Sequence, residues 1–169
     1  MRNLDFEQNL LFSLKKLLGR SLPKSLGVAV SGGADSVSLL WALSKLEKKD
    51  SSFPKIFCVT VDHSIRAEKE SSGDAAFVQE LCGRLGFDCF VKKIGRGLVT
   101  ELSSRRKKGI EEAARFLRYQ KFEEFAKESG VPFVCLAHNQ NDALETLLMR
   151  FLQGSSSQGA AGMAAKRGL

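Results

Sequence analysis

Apolar and polar positions follow two periods along the chain, and each period predicts a different kind of element. Continuous apolar runs rich in Val, Ile and Phe predict buried strands, at residues 28–30, 56–61, 88–94 and 131–137. Apolar residues that recur every three or four positions predict helices, at residues 4–18, from 36 onward, 72–85, 110–129 and 141–152. The sequence therefore predicts strands that alternate with helices.

This alternation predicts a doubly wound α/β fold. Strands that are apolar along nearly their whole length are typical of a parallel sheet covered by helices on both faces. Right-handed crossovers place the carboxyl ends of such strands at one edge, where ligands bind. The polar groups that follow predicted strands are Ser31, Gly32, Gly33, Asp62, His63 and His138. We therefore expect one site at this edge.

The segment after the first strand, residues 31–36, is called the glycine loop below. It consists of Ser31, Gly32, Gly33, Ala34, Asp35 and Ser36. Adjacent glycines allow a positive φ and bring backbone N–H groups close to a ligand. With the positive end of the following helix, those groups form an anion site. The alternative is a Ser-rich turn that only caps the helix, and the order of strand, glycines, Asp and helix favours phosphate binding.

Two polar sets share the spacing i, i+4, i+7. Glu111, Arg115 and Arg118 form one stripe on a helix, which is either a solvated face joined by Glu–Arg pairs or a pair of phosphate-binding arginines. His138, Asp142 and Glu145 surround the beginning of the last helix. Their carboxylates either stabilise the helix N-terminus or hold an ammonium group or Mg²⁺, and spacing alone favours the former.

Charge and composition narrow the class of protein. A net charge of +7 suits a polyanionic partner such as RNA, and the basic run 105–108 is either a solvated loop or a phosphate contact. No apolar run reaches the length of a membrane span, so we expect no membrane association. Asp5 and Glu7 stand where a signal peptide would be basic and then apolar, which predicts a cytoplasmic protein. The four cysteines lack metal-like spacing and are expected to be reduced.

The motifs taken together resemble a known family. The glycine loop resembles the SGGxDS pyrophosphate loop of the N-type ATP pyrophosphatases, which cleave ATP between its α and β phosphates. The ordered set SGGADS, VDHSIRAE, GIEEAARFLRY and AHNQNDALETLLMRFLQGSSSQGAAGM resembles the N-terminal domain of tRNA(Ile)-lysidine synthetase. That resemblance implies a Rossmann-like adenine nucleotide hydrolase fold over a single domain, residues 1–169, which ends before the last strand and the tRNA-binding domains of the family.

The resemblance also implies an activity, a ligase reaction of tRNA processing. ATP adenylates the anticodon cytidine of a tRNA(Ile) with a cytidine-initial anticodon, and free L-lysine then displaces AMP to give lysidine. The implied cofactors are ATP and Mg²⁺, and a homodimer is left open.

The implied residue roles follow the family's motifs. The glycine loop, Asp62 and His63 would bind ATP, with Asp35 facing the metal. Asp35, Arg115, Arg118, Asp142 and Glu145 would be catalytic, whereas Glu111, His138, Asp142 and Glu145 would bind substrate.

Two departures keep other functions open. Asn141 replaces the first of two adjacent Asp in the family's last motif, and Ala143 replaces a Gln. One alternative is therefore a nucleotide-binding remnant without tRNA-modifying activity. The other is a related tRNA-modifying enzyme such as a thiolase, although neither a CxxC pair nor a Cys in a cationic exposed setting supports it.

Overall fold

A computed structural model of the chain describes residues 6–62, 68–107 and 109–137, and for residues 68–72 only the backbone. The predicted helix at 141–152 and the candidate residues His63, His138, Asp142 and Glu145 lie outside these ranges. The elements in chain order are α1 (Phe6–Leu18), β1 (Ser25–Ala29), α2 (Ala34–Lys49), β2 (Lys55–Asp62), α3 (Glu68–Leu85), β3 (Asp88–Lys93), α4 (Leu98–Arg106), α5 (Ile110–Ser129) and β4 (Val134–Leu136).

The four described strands form one parallel sheet in the order β3-β2-β1-β4. The chain moves outward from β1 to β3 and then returns to place β4 on the other side of β1. The strand order therefore reverses between β1 and β4, and the crevice at such a reversal is where open α/β sheets bind ligands. The predicted α/β fold is confirmed.

Helices cover both faces of the sheet. Successive residues of the central strands point alternately into the core on one face and the core on the other. Ile56 and Cys58 of β2 pack in the larger core with residues of α1, α2 and α3. Val59, the residue after Cys58, packs on the opposite face with Phe122 and Phe125 of α5. This alternation is the expected consequence of a strand that is buried on both faces.

Most predicted boundaries agree with the structure to within a few residues. The helix predicted at 110–129 occupies Ile110–Ser129, and Gly130 ends it with a left-handed φ of 69°. Helix α3 begins at Glu68, earlier than predicted, whereas β4 covers only Val134–Leu136 of the predicted strand. The shorter β4 has a local cause, because Pro132 has no N–H to donate to a neighbouring strand.

One prediction is wrong. The basic run at 105–108 was expected in a loop, but Arg105 and Arg106 form the last turn of α4. This helix shows little amphipathic pattern, since Val99 is its one fully buried residue. Packing of Val99 against Ile94, Ala113 and Ala114 holds α4 in place, and such contacts do not appear in a local sequence pattern.

No helix in the described ranges combines the length and the apolar character needed to cross a membrane.

Candidate functional site

The glycine loop lies at the carboxyl end of β1, where the strand order reverses. Hydrogen bonding to β2 continues up to Val30, the last residue before the loop, whose N–H donates to the carbonyl oxygen of Val59 at 2.9 Å. Helix α2 then begins at Ala34. The loop therefore joins a central strand to a helix N-terminus at the carboxyl edge of the sheet, where folds of this class bind ligands.

Two serines brace the glycine loop internally. The Ser36 hydroxyl donates to the carbonyl oxygen of Gly33 at 2.9 Å and accepts from the Ser31 N–H at 3.2 Å. The two hydroxyl oxygens lie 3.2 Å apart, and the Gly33 N–H donates to the Ser31 hydroxyl at 3.4 Å. Ser36 is buried whereas Ser31 is exposed, so Ser36 acts as a support and Ser31 can also reach a ligand.

The two glycines have different conformations. Gly32 has φ of +86°, which only glycine adopts readily, whereas Gly33 has φ of −72°. A Cβ at Gly32 would contact Phe77, Val78 and the backbone of Asp74 at 3.8–3.9 Å. Gly32 thus makes the turn, and Gly33 leaves the approach to the helix open.

The beginning of α2 is suited to an anion. Its N-cap residue, Gly33, provides no side-chain hydrogen bond to the first turn, which most helices receive from Ser, Thr, Asp or Asn. The N-terminal N–H groups and the helix dipole attract negative charge. Asp35 is exposed in this first turn. A carboxylate beside bound phosphates would repel them unless a cation lies between the two.

Asp62 ends β2 at the same edge of the sheet. It is 9% exposed, and its carbonyl oxygen accepts a hydrogen bond from the Ile94 N–H at 2.8 Å. The parallel register pairs Asp62 with Lys93 of β3. The structure therefore places this predicted ATP-binding residue at the strand end, as the sequence indicated.

Helix α5 presents the predicted arginines differently from a solvated stripe. No ion pair in the described part of the chain joins Glu111 to Arg115 or Arg118. The Nε of Arg118 lies out of contact with solvent and has no hydrogen-bond partner within the same ranges. Burial lowers the pKa of Arg118, the charge of Arg115 lowers it further, and Tyr119 opposes the shift. Two neighbouring arginines that form no ion pair with a described carboxylate make an electropositive position suited to an anionic ligand.

The first turns of α5 lie near the ends of β2 and β3. Ala113 and Ala114 pack against Ile94 with Val61 at the border of the same small core. The Arg115 guanidinium lies over the Tyr119 ring, 5.8 Å from its centroid. The N-terminal half of α5 is therefore close to the edge of the sheet that carries the glycine loop.

Phe77 is a neighbour of the glycine loop that the sequence analysis missed. The residue is 49% exposed, and its Cδ1 would be 3.8 Å from a Cβ on Gly32. An exposed aromatic side chain on a surface helix has no distinctive sequence signal. Its apolar spacing on α3 is the only sign that could have drawn attention to it.

The cysteines are all reduced, as predicted. A hydrogen bond with Cys58 and burial raise the pKa of Cys82 to about 12, against a weaker opposing hydrogen bond from Cys89. A hydrogen bond with Cys82 and burial raise the pKa of Cys89, and burial raises that of Cys135 to about 11. These thiols stay protonated at neutral pH and are poor nucleophiles.

A family model described as a PP-loop domain matches residues 6–169. The chain belongs to this family. Curated relatives named tRNA(Ile)-lysidine synthase share 42% identity with it in Treponema denticola, over 96% of this chain and 35% of the relative. The relative in Treponema pallidum shares 44% over 86% of this chain and 30% of its own length. The predicted resemblance is confirmed, and the chain spans about a third of these relatives' length.

Solved structures with lower identity confirm the fold of the PP-loop domain. The U34-tRNA thiolase NcsA from Methanococcus maripaludis superposes with a TM-score of 0.67 at 19% identity, covering 87% of this chain and 50% of that one. The NH3-dependent NAD synthetase from Campylobacter jejuni gives 0.54 at 11% identity, over 92% and 88%.

Proposed function

We propose that the PP-loop domain is the catalytic N-terminal part of a cytoplasmic ligase that attaches lysine to the anticodon cytidine of tRNA(Ile). The observation that carries the proposal is the serine-braced glycine loop at the beginning of α2, in a chain whose relatives carry this activity in their names. ATP, a tRNA(Ile) with a cytidine-initial anticodon and free L-lysine are the substrates.

In the first step, ATP binds with its β and γ phosphates on the glycine loop. An oxygen of the cytidine attacks the α-phosphorus, the bond to the bridging oxygen of the β-phosphate breaks, and pyrophosphate leaves. The N–H groups at the beginning of α2 stabilise the charge that develops on pyrophosphate. Arg115 and Arg118 stabilise the charge on the α-phosphate, a role supported by their unneutralised position on α5. Asp62 and His63 contact the adenosine.

Mg²⁺ fits the residues at the loop. The exposed carboxylate of Asp35 offers the kind of oxygen ligand that Mg²⁺ prefers, and this ion commonly binds one or two carboxylates together with substrate phosphates. The described ranges contain no group of three or more His, Cys, Asp or Glu that could hold a metal ion. When bound, the ion would neutralise charge on the departing pyrophosphate.

In the second step, the ε-amine of lysine displaces AMP from the adenylated cytidine. A carbon–nitrogen bond forms, the bond between the cytidine and AMP breaks, and the amine gives up its proton before it attacks. Asp142 and Glu145 are proposed to hold the ammonium group of lysine, and Glu111 and His138 are proposed to take part in substrate binding. A homodimer stays a prediction.

A thiolase is the alternative that fold similarity alone would allow, because NcsA shares the architecture. The raised pKa values of Cys82, Cys89 and Cys135 disfavour it, because a sulfur carrier needs an accessible thiolate. A remnant that binds ATP without modifying tRNA is the other alternative. Measurement of the reaction products distinguishes the thiolase and the remnant from a ligase.

The deciding experiment measures AMP release by the full protein with ATP, tRNA(Ile) transcript and a titration of lysine. We expect AMP release to need the tRNA and lysine to appear covalently on the RNA. Glu145→Gln should raise the half-saturating lysine concentration roughly ten- to a hundredfold and leave ATP affinity unchanged. Glu80→Gln is the matched control, because Glu80 is an exposed acid paired with Arg84 on α3. ATP binding without tRNA-dependent AMP release would make the chain a remnant.

A further inference from the structure

Helices α4 and α5 meet in a surface that the proposed chemistry does not use. It is called the basic corner here and consists of Arg105, Arg106, Lys107 and Phe116. The guanidinium of Arg106 lies over the Phe116 ring, with Cζ 3.9 Å from the ring centroid. Leu102 and Ala113 line the shallow pocket beneath them, together with Glu112. Phe116 is 36% exposed, so the stacked pair is accessible from solvent.

The three cations of the basic corner form no ion pair with any acid in the described part of the chain. Elsewhere, basic side chains such as Lys45 and Lys121 form ion pairs with acids. Three adjacent cations without carboxylate partners are a surface suited to a polyanion.

The backbone gives a second, independent sign. Lys107 ends α4 with φ of 51°, and no other non-glycine residue in the described ranges has a positive φ. Glycine is the usual residue at a left-handed helix end, and a side chain there adds strain. Strained positions concentrate at functional sites. The chain therefore keeps a cation where local geometry favours glycine.

Packing joins the two helices of the basic corner to the carboxyl edge of the sheet. Val99 of α4 packs with Ala113 and Ala114 of α5 on Ile94, directly after β3, so both helices are fixed to the ligand-binding edge of the sheet. Arg115, proposed to contact the α-phosphate, is the neighbour of Phe116 in α5. The basic corner and the glycine loop are therefore both anchored to the elements at this edge of the sheet.

We propose that the basic corner binds the unpaired nucleotides of an RNA loop. One base stacks on the Arg106–Phe116 pair, while Arg105 and Lys107 contact phosphates on either side. Aromatic rings and Arg guanidinium planes stack on unpaired bases of any sequence, whereas paired bases are not available to them. This inference rests on the proposed function for its substrate class, and it adds where a single-stranded segment is held.

The test measures binding of a fluorescent RNA hairpin with an open loop, compared with the same strand annealed to its complement. Phe116→Leu should weaken hairpin binding roughly five- to a hundredfold and leave duplex binding unchanged, because it removes the stacking face and keeps an apolar side chain. Phe116→Tyr should bind as the wild type does. Arg105→Ala, which removes one of the proposed phosphate contacts, should reduce the slope of log K against log salt by about 0.7.

Matched controls separate the basic corner from general surface effects. Phe12 is an exposed aromatic residue of α1, on the other face of the sheet, and Arg84 is an exposed arginine paired with Glu80. Phe12→Leu and Arg84→Ala should leave hairpin binding unchanged. Circular dichroism verifies that each variant is folded.

Three outcomes would overturn the proposal: equal loss in Phe116→Leu and Phe12→Leu, equal affinity for hairpin and duplex, or displacement of the hairpin by an acidic peptide at equal charge concentration. The last would identify a protein partner instead.

Hairpin binding needs neither ATP nor lysine, so it is independent of the ligase reaction. If Phe116→Leu releases AMP at the normal rate with an unchanged KM for tRNA, the RNA-binding role of the basic corner is wrong and the ligase proposal is unaffected. If the wild type binds the hairpin through Phe116 but releases no AMP, the ligase proposal is wrong and the RNA-binding role of the basic corner is supported.

Discussion

The Phe125 ring of α5 lies directly against Gly27 of β1. A Cβ built on Gly27 would be 2.7 Å from Cε1 of Phe125, 3.1 Å from Cγ2 of Val131 and 3.2 Å from the carbonyl oxygen of Phe133. The same carbonyl accepts the Gly27 N–H at 2.8 Å, so it cannot retreat without loss of that hydrogen bond. The absence of a side chain at Gly27 sets how closely α5 approaches the strand that carries the glycine loop.

Gly27→Ala should therefore destabilise the fold by about 1–3 kcal/mol, the usual cost of overpacking. We expect the Tm to fall by roughly 2–4 °C for each kcal/mol. Gly83→Ala is the control, because nothing lies within 4 Å of a Cβ at that position of α3. It should stabilise the helix by about 0.5–1 kcal/mol. A Gly27→Ala protein as stable as the wild type would show that α5 can move away freely.

The two loop glycines should differ in their response to alanine. Gly32→Ala places a side chain at φ of +86°, a left-handed conformation that costs roughly 1–2 kcal/mol. We expect ATP affinity, measured by calorimetry, to fall roughly tenfold or more as the loop relaxes. Gly33→Ala should have the smaller effect, since its φ is −72° and only the Ser31 hydroxyl, at 3.5 Å, lies near the new Cβ. The reverse order of effects would contradict a turn centred on Gly32.

Arg118 should matter more for the reaction than for stability. Burial disfavours its charge, and its Nε has no hydrogen-bond partner in the described part of the chain. Arg118→Met keeps the length of the side chain and removes the charge, so the free energy of unfolding should change little. The rate of AMP release should fall roughly a hundredfold. Arg84→Met is the control for loss of a surface arginine, and a large drop in Tm with unchanged AMP release would give Arg118 a structural role instead.

Cys135 should make stability depend on pH above about 9. Burial raises the pKa of its thiol from 9.0 to about 11 in the folded protein. The folded state therefore keeps a proton that the unfolded state loses in this window, and its stabilisation is complete below pH 9 and is lost as the pH rises towards 11. The slope reaches at most about −1.4 kcal/mol per pH unit.

Denaturant unfolding of wild type and Cys135→Ala at pH 8, 9 and 10 measures this effect. The stability difference between the two proteins should be constant up to pH 9 and shrink above it, because the variant lacks the titrating thiol. Comparison with the variant cancels the contributions of all other groups, which the two proteins share. A difference that stays constant to pH 10 would contradict the raised pKa.

The sequence by itself determined the fold class and most of the elements. The spacing of apolar residues indicates which positions of an element are buried. The run from Ile56 to Val61 and the helical spacing of α5 could therefore be recognised without knowledge of the neighbouring elements. The glycine loop was found for the same reason, since the strand, the glycines and the helix that form it are consecutive. The family could also be recognised, because its motifs are short and ordered along the chain.

Only the tertiary structure decided which of the two glycines has the positive φ, that the Nε of Arg118 is out of contact with solvent, and that Arg106 lies over Phe116. The contact of Phe77 with Gly32 and that of Phe125 with Gly27 belong to the same group. In each case the deciding contacts join different elements of the fold, so no local pattern encodes them. Helix α4 was missed on the same ground, because it is held by the packing of Val99 on α5 and on the residue after β3. Periodicity reports whether a side chain is buried, and folding alone decides which side chains it meets.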